Sequence, residues 1–114
     1  MVSAFGEEIN ALEVTATAYT SNRNVGDSDP SLAAWGDTLK PGMRAIAVSS
    51  DLIDMGLSRG TQVSIDGLEG KYVVLDKMHE KWKKKIDIYM GNDTERAKDW
   101  GQQKVIIRWE RTPE

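Results

Sequence analysis

The 114 residues of this chain fit one domain of ordinary size, and a hydrophobic content of 39% is enough to form one core. The chain has no cysteine, which excludes disulfides, thiolate metal sites and thiol catalysis. Its net charge of −3 hides a local excess of +4 in residues 77–85, the lysine segment, where five lysines face one glutamate. Because duplex nucleic acid usually requires a broader basic face than one short segment, we expect no nucleic-acid partner.

The first element that the pattern predicts is a half-buried strand over residues 12–19, where the alternation has a period of two. A polar excursion over residues 21–40 follows, and its glycines and proline predict a loop that lies over one face. Further short strands are predicted at residues 44–48, 62–65, 71–75, 85–89 and 104–109. We therefore expect one domain over residues 12–110, with a flexible lead over 1–11 and a tail over 111–114.

Two short helices are predicted between these strands, at residues 50–55 and 93–100. The second helix takes Asn92 as its cap, with Glu95 placed for a capping box and Gly101 as its stop. Many short strands with little helix indicate a mainly β fold, in the form of a small closed or nearly closed barrel.

Two carboxylates, Asp76 and Asp87, stand eleven positions apart on either side of the lysine segment, and each adjoins an apolar run. A carboxyl group beside an apolar wall can keep its proton near neutral pH, whereas lysines favour the ionised form. The pair is therefore typical of acid/base chemistry on a polar substrate. From spacing alone, the plainer interpretation is that Asp76 caps a turn and Asp87 pairs with a lysine.

Trp35 and Trp82 fall in predicted loops, where an indole can either pack on the barrel or stack on a sugar ring. Trp100 and Trp109 fall on a helix and a strand, which favours packing in the core. His79 is the only histidine, so a metal site would need carboxylate partners. We therefore expect neither a metal nor a cofactor.

Several motifs stand in the order of a known family. They are residues 17–20 (TAYT), 35–38 (WGDT), 45–48 (AIAV), 59–63 (RGTQV) and 85–89 (KIDIY), with acids at 51 and 76. Over residues 12–109 the chain resembles the three-aspartate (3D) domain, the catalytic barrel of membrane-bound lytic transglycosylase A and of stationary-phase muralytic proteins. The resemblance implies a six-stranded double-psi β-barrel that cleaves the glycan strands of peptidoglycan.

The resemblance also implies that Asp51, Asp76 and Asp87 meet in one groove as catalytic residues. Asp76 would donate a proton to the glycosidic oxygen and then act as base, while the sugar's own 6-hydroxyl attacks to give a 1,6-anhydro end. Asp87 would orient the substrate or tune the proton of Asp76. Either Asp51 or Asp54 fits the place of the first acid, and we choose Asp51 because it lies nearer to the preceding strand.

The side chains expected to contact the glycan carry hydroxyl, indole or ammonium groups. They are Tyr19, Thr20, Trp35, Thr38, Lys77, Trp82 and Lys85. Such a partner implies a monomer that acts in the periplasm or outside the cell. No apolar run reaches membrane-spanning length, and the first eight residues lack an export signal.

The chain departs from the family pattern directly after Asp76, where Lys77, Met78 and His79 replace Thr-Gly-Gly. Because glycines let a backbone approach a sugar closely, bulky residues there narrow or reshape the groove. This departure leaves an alternative open, a barrel that binds polysaccharide without catalysis, as expansin-like and barwin-like barrels do. A purely structural or protein-binding barrel is a third interpretation.

Overall fold

The computed structural model describes residues 8–21, 33 and 35–111. Within these residues the chain forms six strands and two short helices. In chain order they are β1 (Glu8–Tyr19), β2 (Ala45–Val48), α1 (Ser50–Asp54), β3 (Gln62–Ile65), β4 (Lys71–Lys77), β5 (Lys85–Tyr89), α2 (Thr94–Trp100) and β6 (Gln103–Arg111). The strands close into a barrel in the order β1-β5-β2-β4-β3-β6, which confirms the expected mainly β barrel with two short helices.

Two parallel strand pairs lie side by side in this barrel. β1 pairs in parallel with β5, and β2 pairs in parallel with β4, while β2 and β5 run antiparallel to each other between them. Parallel neighbours cannot be joined by a tight hairpin, so long connections must cross the ends of the barrel. The chain before β2 and the lysine segment before β5 each connect two strands that are not neighbours in the barrel.

The terminal strands are longer than the sequence predicts. β1 begins at Glu8, four positions before the alternating pattern, and β6 continues to Arg111. Their antiparallel register pairs Glu8 with Arg111 and Ala16 with Gln103, so each strand end extends the other. One face of an antiparallel pair can be exposed to solvent and carry polar residues. The apolar pattern that predicts a strand is therefore weaker at these ends.

The inside of the barrel holds one apolar core. Its largest fully buried members include the β-branched side chains of Ile46, Ile86, Ile88 and Ile107. Trp109 also lies in this core, as the sequence predicts. Trp100 packs against it and donates its indole N–H to the Ala16 carbonyl at 3.2 Å, which fastens α2 to β1.

The cap of α2 differs from the prediction. Asp93, not Asn92, is the N-cap, and its carboxylate accepts a hydrogen bond from the Arg96 amide at 3.0 Å. The shift by one residue moves Glu95 out of the capping-box position, while Gly101 ends the helix as expected. Asparagine and aspartate are comparable N-cap residues, so the local sequence does not decide between the two positions. Neither described helix, of five and seven residues, is long and apolar enough to cross a membrane.

Candidate functional site

A row of four side chains crosses the outer face of four neighbouring strands, β4, β2, β5 and β1. Ala47 on β2 is in register with Asp76 on one side and with Asp87 on the other. Asp87 is in turn in register with Thr17 on β1. Residues in register point to the same face, so these four form one row, which we call the acid row. Two strand spacings place the Cα atoms of the two aspartates about 9–10 Å apart.

An irregularity in β4 brings Asp76 into the acid row. Ile46 pairs with Val74, but the next residue, Ala47, pairs with Asp76, so Leu75 is an extra residue in β4. In a regular ladder Asp76 would oppose Val48, whose side chain lies in the core. The bulge therefore turns the carboxylate outwards, a common use of bulges beside functional sites.

Hydrogen-bond donors hold both aspartates of the row. The Thr17 hydroxyl donates to Asp87 Oδ1 at 3.1 Å, and the Lys77 amide donates to Asp76 Oδ1 at 2.9 Å. Ala47 between them is only 5% exposed, because it packs in an apolar cluster with Tyr19 and Tyr89. The two carboxylates are half-buried, so a polar ligand would meet hydrogen-bond acceptors on this face at two positions, one on each side of Ala47.

An apolar cluster lies next to the acid row on the same outer face. Ala33 and Leu39, from the described part of the long connection, pack there against Tyr19, Ala45 and Tyr89. The described part of the expected loop therefore covers part of one face of the barrel. Tyr19 lies beneath this cover at 4% exposure, and Thr20 is 6% exposed, so neither of these two predicted glycan contacts faces solvent.

A charged pair fastens the same connection to the other side of the barrel. Arg59 donates to both oxygens of Asp37, at 2.8 and 2.7 Å, and this guanidinium lowers the pKa of Asp37. Trp35 and Thr38 flank Asp37 and remain exposed. These two predicted contacts are therefore available to a ligand, on a segment that a bidentate ion pair holds in place.

The lysine segment presents Trp82 beside the acid row. Its indole is 37% exposed, and the Lys85 ammonium lies 3.6 Å from the ring centroid. A second ammonium, from Lys81, lies 4.9 Å from the same ring. Such cation–π contacts restrain the indole. Lys77 is exposed at the end of β4, directly after Asp76, and Lys85 is two positions before Asp87, so these three predicted contacts lie on one side of the row.

Asp51 supports the lysine segment from α1. Its Oδ2 accepts from the Lys84 amide at 2.9 Å, and Lys84 has a left-handed φ of 45°, which is unfavourable for a residue with a side chain. Burial acts to raise the pKa of Asp51, but hydrogen bonds from Ser49 and Lys84 and the charge of Lys83 outweigh it and leave that pKa below its ordinary value. Asp51 is thus placed to anchor the loop as a carboxylate.

This anchor predicts a pH-dependent contribution to stability. A pKa that is lower in the folded protein favours folding above the unfolded value of about 4, and that gain disappears as the pH falls through the folded pKa. Asp51→Asn should therefore lower the free energy of unfolding by about 1–2 kcal/mol at pH 6 and by much less at pH 2.5. Urea unfolding at both pH values measures the difference. Asp54→Asn, an exposed change on the same helix, should have no such effect, and equal results for the two variants would contradict the anchor.

Three residues that shape this site belong to the family motifs but are not among the site residues expected from the sequence. Thr17 and Ala47 belong to the acid row, and Arg59 fixes the segment that carries Trp35. The outward parity of Thr17 is visible in the alternation of β1. Its position opposite Asp87, however, depends on a pairing between strands 70 residues apart, for which the sequence has no local signal.

In the described part of the chain, no group of three histidine, cysteine, aspartate or glutamate side chains is arranged to hold a metal ion.

The sequence matches no protein-family model and none of the curated proteins. The 3D-domain membership expected from the motifs therefore stays a resemblance.

Solved structures do share the fold. The apo expansin of Clavibacter michiganensis is similar with a TM-score of 0.59 and 19% identity, and an aspartate-to-asparagine mutant of that expansin in complex with cellohexaose is similar with 0.59 and 18%. Each match covers 92% of this chain and 52% of the expansin chain, so the present chain spans about half the length of those structures. At this identity the likeness establishes a closed six-stranded barrel like that of expansin.

Proposed function

We propose that this barrel binds a polysaccharide along the acid row without cleaving it. The observation that carries the proposal is the register of Asp76, Ala47 and Asp87, which places two hydrogen-bond acceptors on one face, on neighbouring sides of a buried alanine. Sugar hydroxyl groups are donors for such carboxylates. Trp82, at the end of the row, adds an indole for stacking.

The expansin structure in complex with cellohexaose supports a glycan ligand, because it shows an oligosaccharide bound to a protein that contains this fold. The present chain spans half of that protein, so the location of the sugar there is not transferred to individual residues here. A polysaccharide ligand would place the domain in the periplasm or outside the cell.

Binding is favoured over turnover by the position of the third acid. The 3D-domain resemblance requires three aspartates that meet around one bond, but Asp51 contacts the backbone of Lys84, and its lowered pKa keeps it ionised. The residues that follow Asp76 are bulky where the family has two glycines. These two features remove the third acid and the two glycines that the transglycosylase reaction would use. They leave the two carboxylates of the acid row as hydrogen-bond acceptors.

A second candidate function, a lytic transglycosylase acting on peptidoglycan, is favoured by one specific observation. The bulge at Leu75 turns Asp76 into the same row as Asp87, so two carboxylates still share one face. In that mechanism Asp76 would protonate the glycosidic oxygen and then accept the proton of the 6-hydroxyl that attacks.

One experiment separates the two functions. The domain is incubated with purified sacculi and, in parallel, with insoluble cellulose; the bound fraction is measured by sedimentation and the soluble products by mass spectrometry. We expect the domain to sediment with at least one polymer, with no 1,6-anhydro products. Asp76→Asn should sediment to a similar extent, because an amide oxygen still accepts a hydrogen bond.

Release of anhydro-muropeptides by the unsubstituted domain, but not by Asp76→Asn, would establish the second candidate instead. If neither polymer retained the domain and no product appeared, both glycan functions would be rejected. Asp54→Asn, an exposed acid away from the row, is the matched control for the loss of one negative charge.

A further inference from the structure

A polar cleft lies at the opposite rim of the barrel from the lysine segment. It has a volume of about 480 Å³, which falls within the ~300–1,000 Å³ typical of small-ligand sites. Its walls come from the chain before β2, the β3–β4 turn, the end of β5 and α2. β5 begins at the lysine segment and ends at this cleft, so the step of four positions from Asp87 to Gly91 spans at most about 13 Å.

Two arginines face this cleft, Arg44 from the start of β2 and Arg96 from α2. Among the residues with described side chains, no carboxylate lies within ion-pair distance of either one. The other two described arginines do have such partners, since Arg59 pairs with Asp37 at 2.7 Å and Arg108 with Asp66 at 2.6 Å. The two guanidinium groups without a partner are therefore the two that share the cleft.

The Arg44 guanidinium lies against the β3–β4 turn. A Cβ atom at Gly70 would lie only 3.2–3.3 Å from it, so the absence of a side chain there leaves room for the guanidinium beside the turn. A guanidinium remains charged at any physiological pH and presents a planar array of donors that matches the oxygens of a carboxylate or phosphate.

The remaining lining residues limit the ligand. Glu69 contributes one negative charge against the two arginines, so the charge of these three residues is +1, which suits a single anionic group. Tyr72 and Met90 supply an apolar surface beside the arginines. The cleft therefore fits a small molecule, or the end of a chain, with one anionic group on a ring-sized body.

We propose that this cleft is a second binding site, which takes a carboxylate or phosphate group on a sugar-sized molecule through Arg44 and Arg96. The site is separate from the acid row and does not depend on the function proposed there.

The test is an NMR titration of the ¹⁵N-labelled domain with galacturonic acid, with glucose 6-phosphate and with glucose. We expect the amides of Gly42, Gly67 and Gly91, which line the cleft, to shift with at least one anionic sugar and not with glucose. A response to galacturonic acid alone would identify a carboxylate site, and a response to glucose 6-phosphate alone a phosphate site. Either result supports the proposal.

Arg44→Gln and Arg96→Gln should each weaken the binding of the responding sugar by about 10-fold, the loss expected for hydrogen bonds to a charged group. The matched control is Lys98→Gln, which removes the same charge from α2 outside the cleft and should leave affinity unchanged within about twofold. Equal losses for Arg96→Gln and Lys98→Gln, equal shifts with glucose, shifts confined to the lysine segment, or no shift at all would each overturn the proposal.

Discussion

Ile88→Ala is expected to lower the free energy of unfolding by about 3–4 kcal/mol, among the larger effects of a single side-chain truncation. Ile88 is fully buried and lies in register with Ala18 on β1 and Ile46 on β2. Truncation at this position opens a cavity between three strands that pair over most of their length, so the barrel has little freedom to collapse around it. Urea unfolding followed by tryptophan fluorescence should show a lower midpoint with an unchanged slope.

The matched control for this variant is Ile9→Ala, the same truncation on β1, where the side chain is 54% exposed. It should change the free energy of unfolding by no more than about 0.5 kcal/mol. Similar losses for the two variants would mean that Ile88 is not packed as the barrel requires. Because Ile88 stands between Asp87 and Tyr89, a destabilised β5 should also disturb the acid row.

Local periodicity is enough to predict most of this fold. β3 and β5 have the predicted bounds, because each is a short apolar alternation between turn residues. The ends of β1 and β6 are harder to predict, because residues such as Glu8 and Arg111 become part of a strand only by pairing with each other. α2 shows a similar limit, because Asn92 and Asp93 are both good caps and local sequence does not rank them.

The site is less predictable than the fold, because it depends on pairings between distant strands. The eleven-residue spacing singles out Asp76 and Asp87, but it does not predict that Ala47 lies between them. No glycine marks the bulge at Leu75 in the sequence, although this bulge determines which way Asp76 points. Tyr19 and Thr20 stand at a strand end, where a ligand contact is a natural prediction, yet both are buried, and Tyr19 packs against Ala33 and Leu39, which are distant in the sequence.

Trp82→Ala is expected to weaken binding of the retained polysaccharide by about 10- to 30-fold, the effect of removing an aromatic side chain that contributes about 2 kcal/mol. The indole is exposed beside the acid row, and the Lys85 ammonium at 3.6 Å holds its orientation before a ligand arrives. A restrained ring loses little entropy on binding. Sedimentation isotherms with the insoluble polymer measure the change, and Trp82→Phe, which keeps a ring, should recover part of the affinity.

The control for Trp82→Ala is Met55→Ala, which truncates another exposed apolar side chain, at the end of α1. If the two variants bound equally well, the indole would have no part in recognition, and the acid row alone would have to account for it. A second comparison separates stacking from charge, because salt screens lysine contacts but not ring contacts. Loss of affinity in Trp82→Ala that persists at high salt would therefore identify stacking, whereas a loss that disappears there would mean that the ring acts only by positioning Lys81 and Lys85.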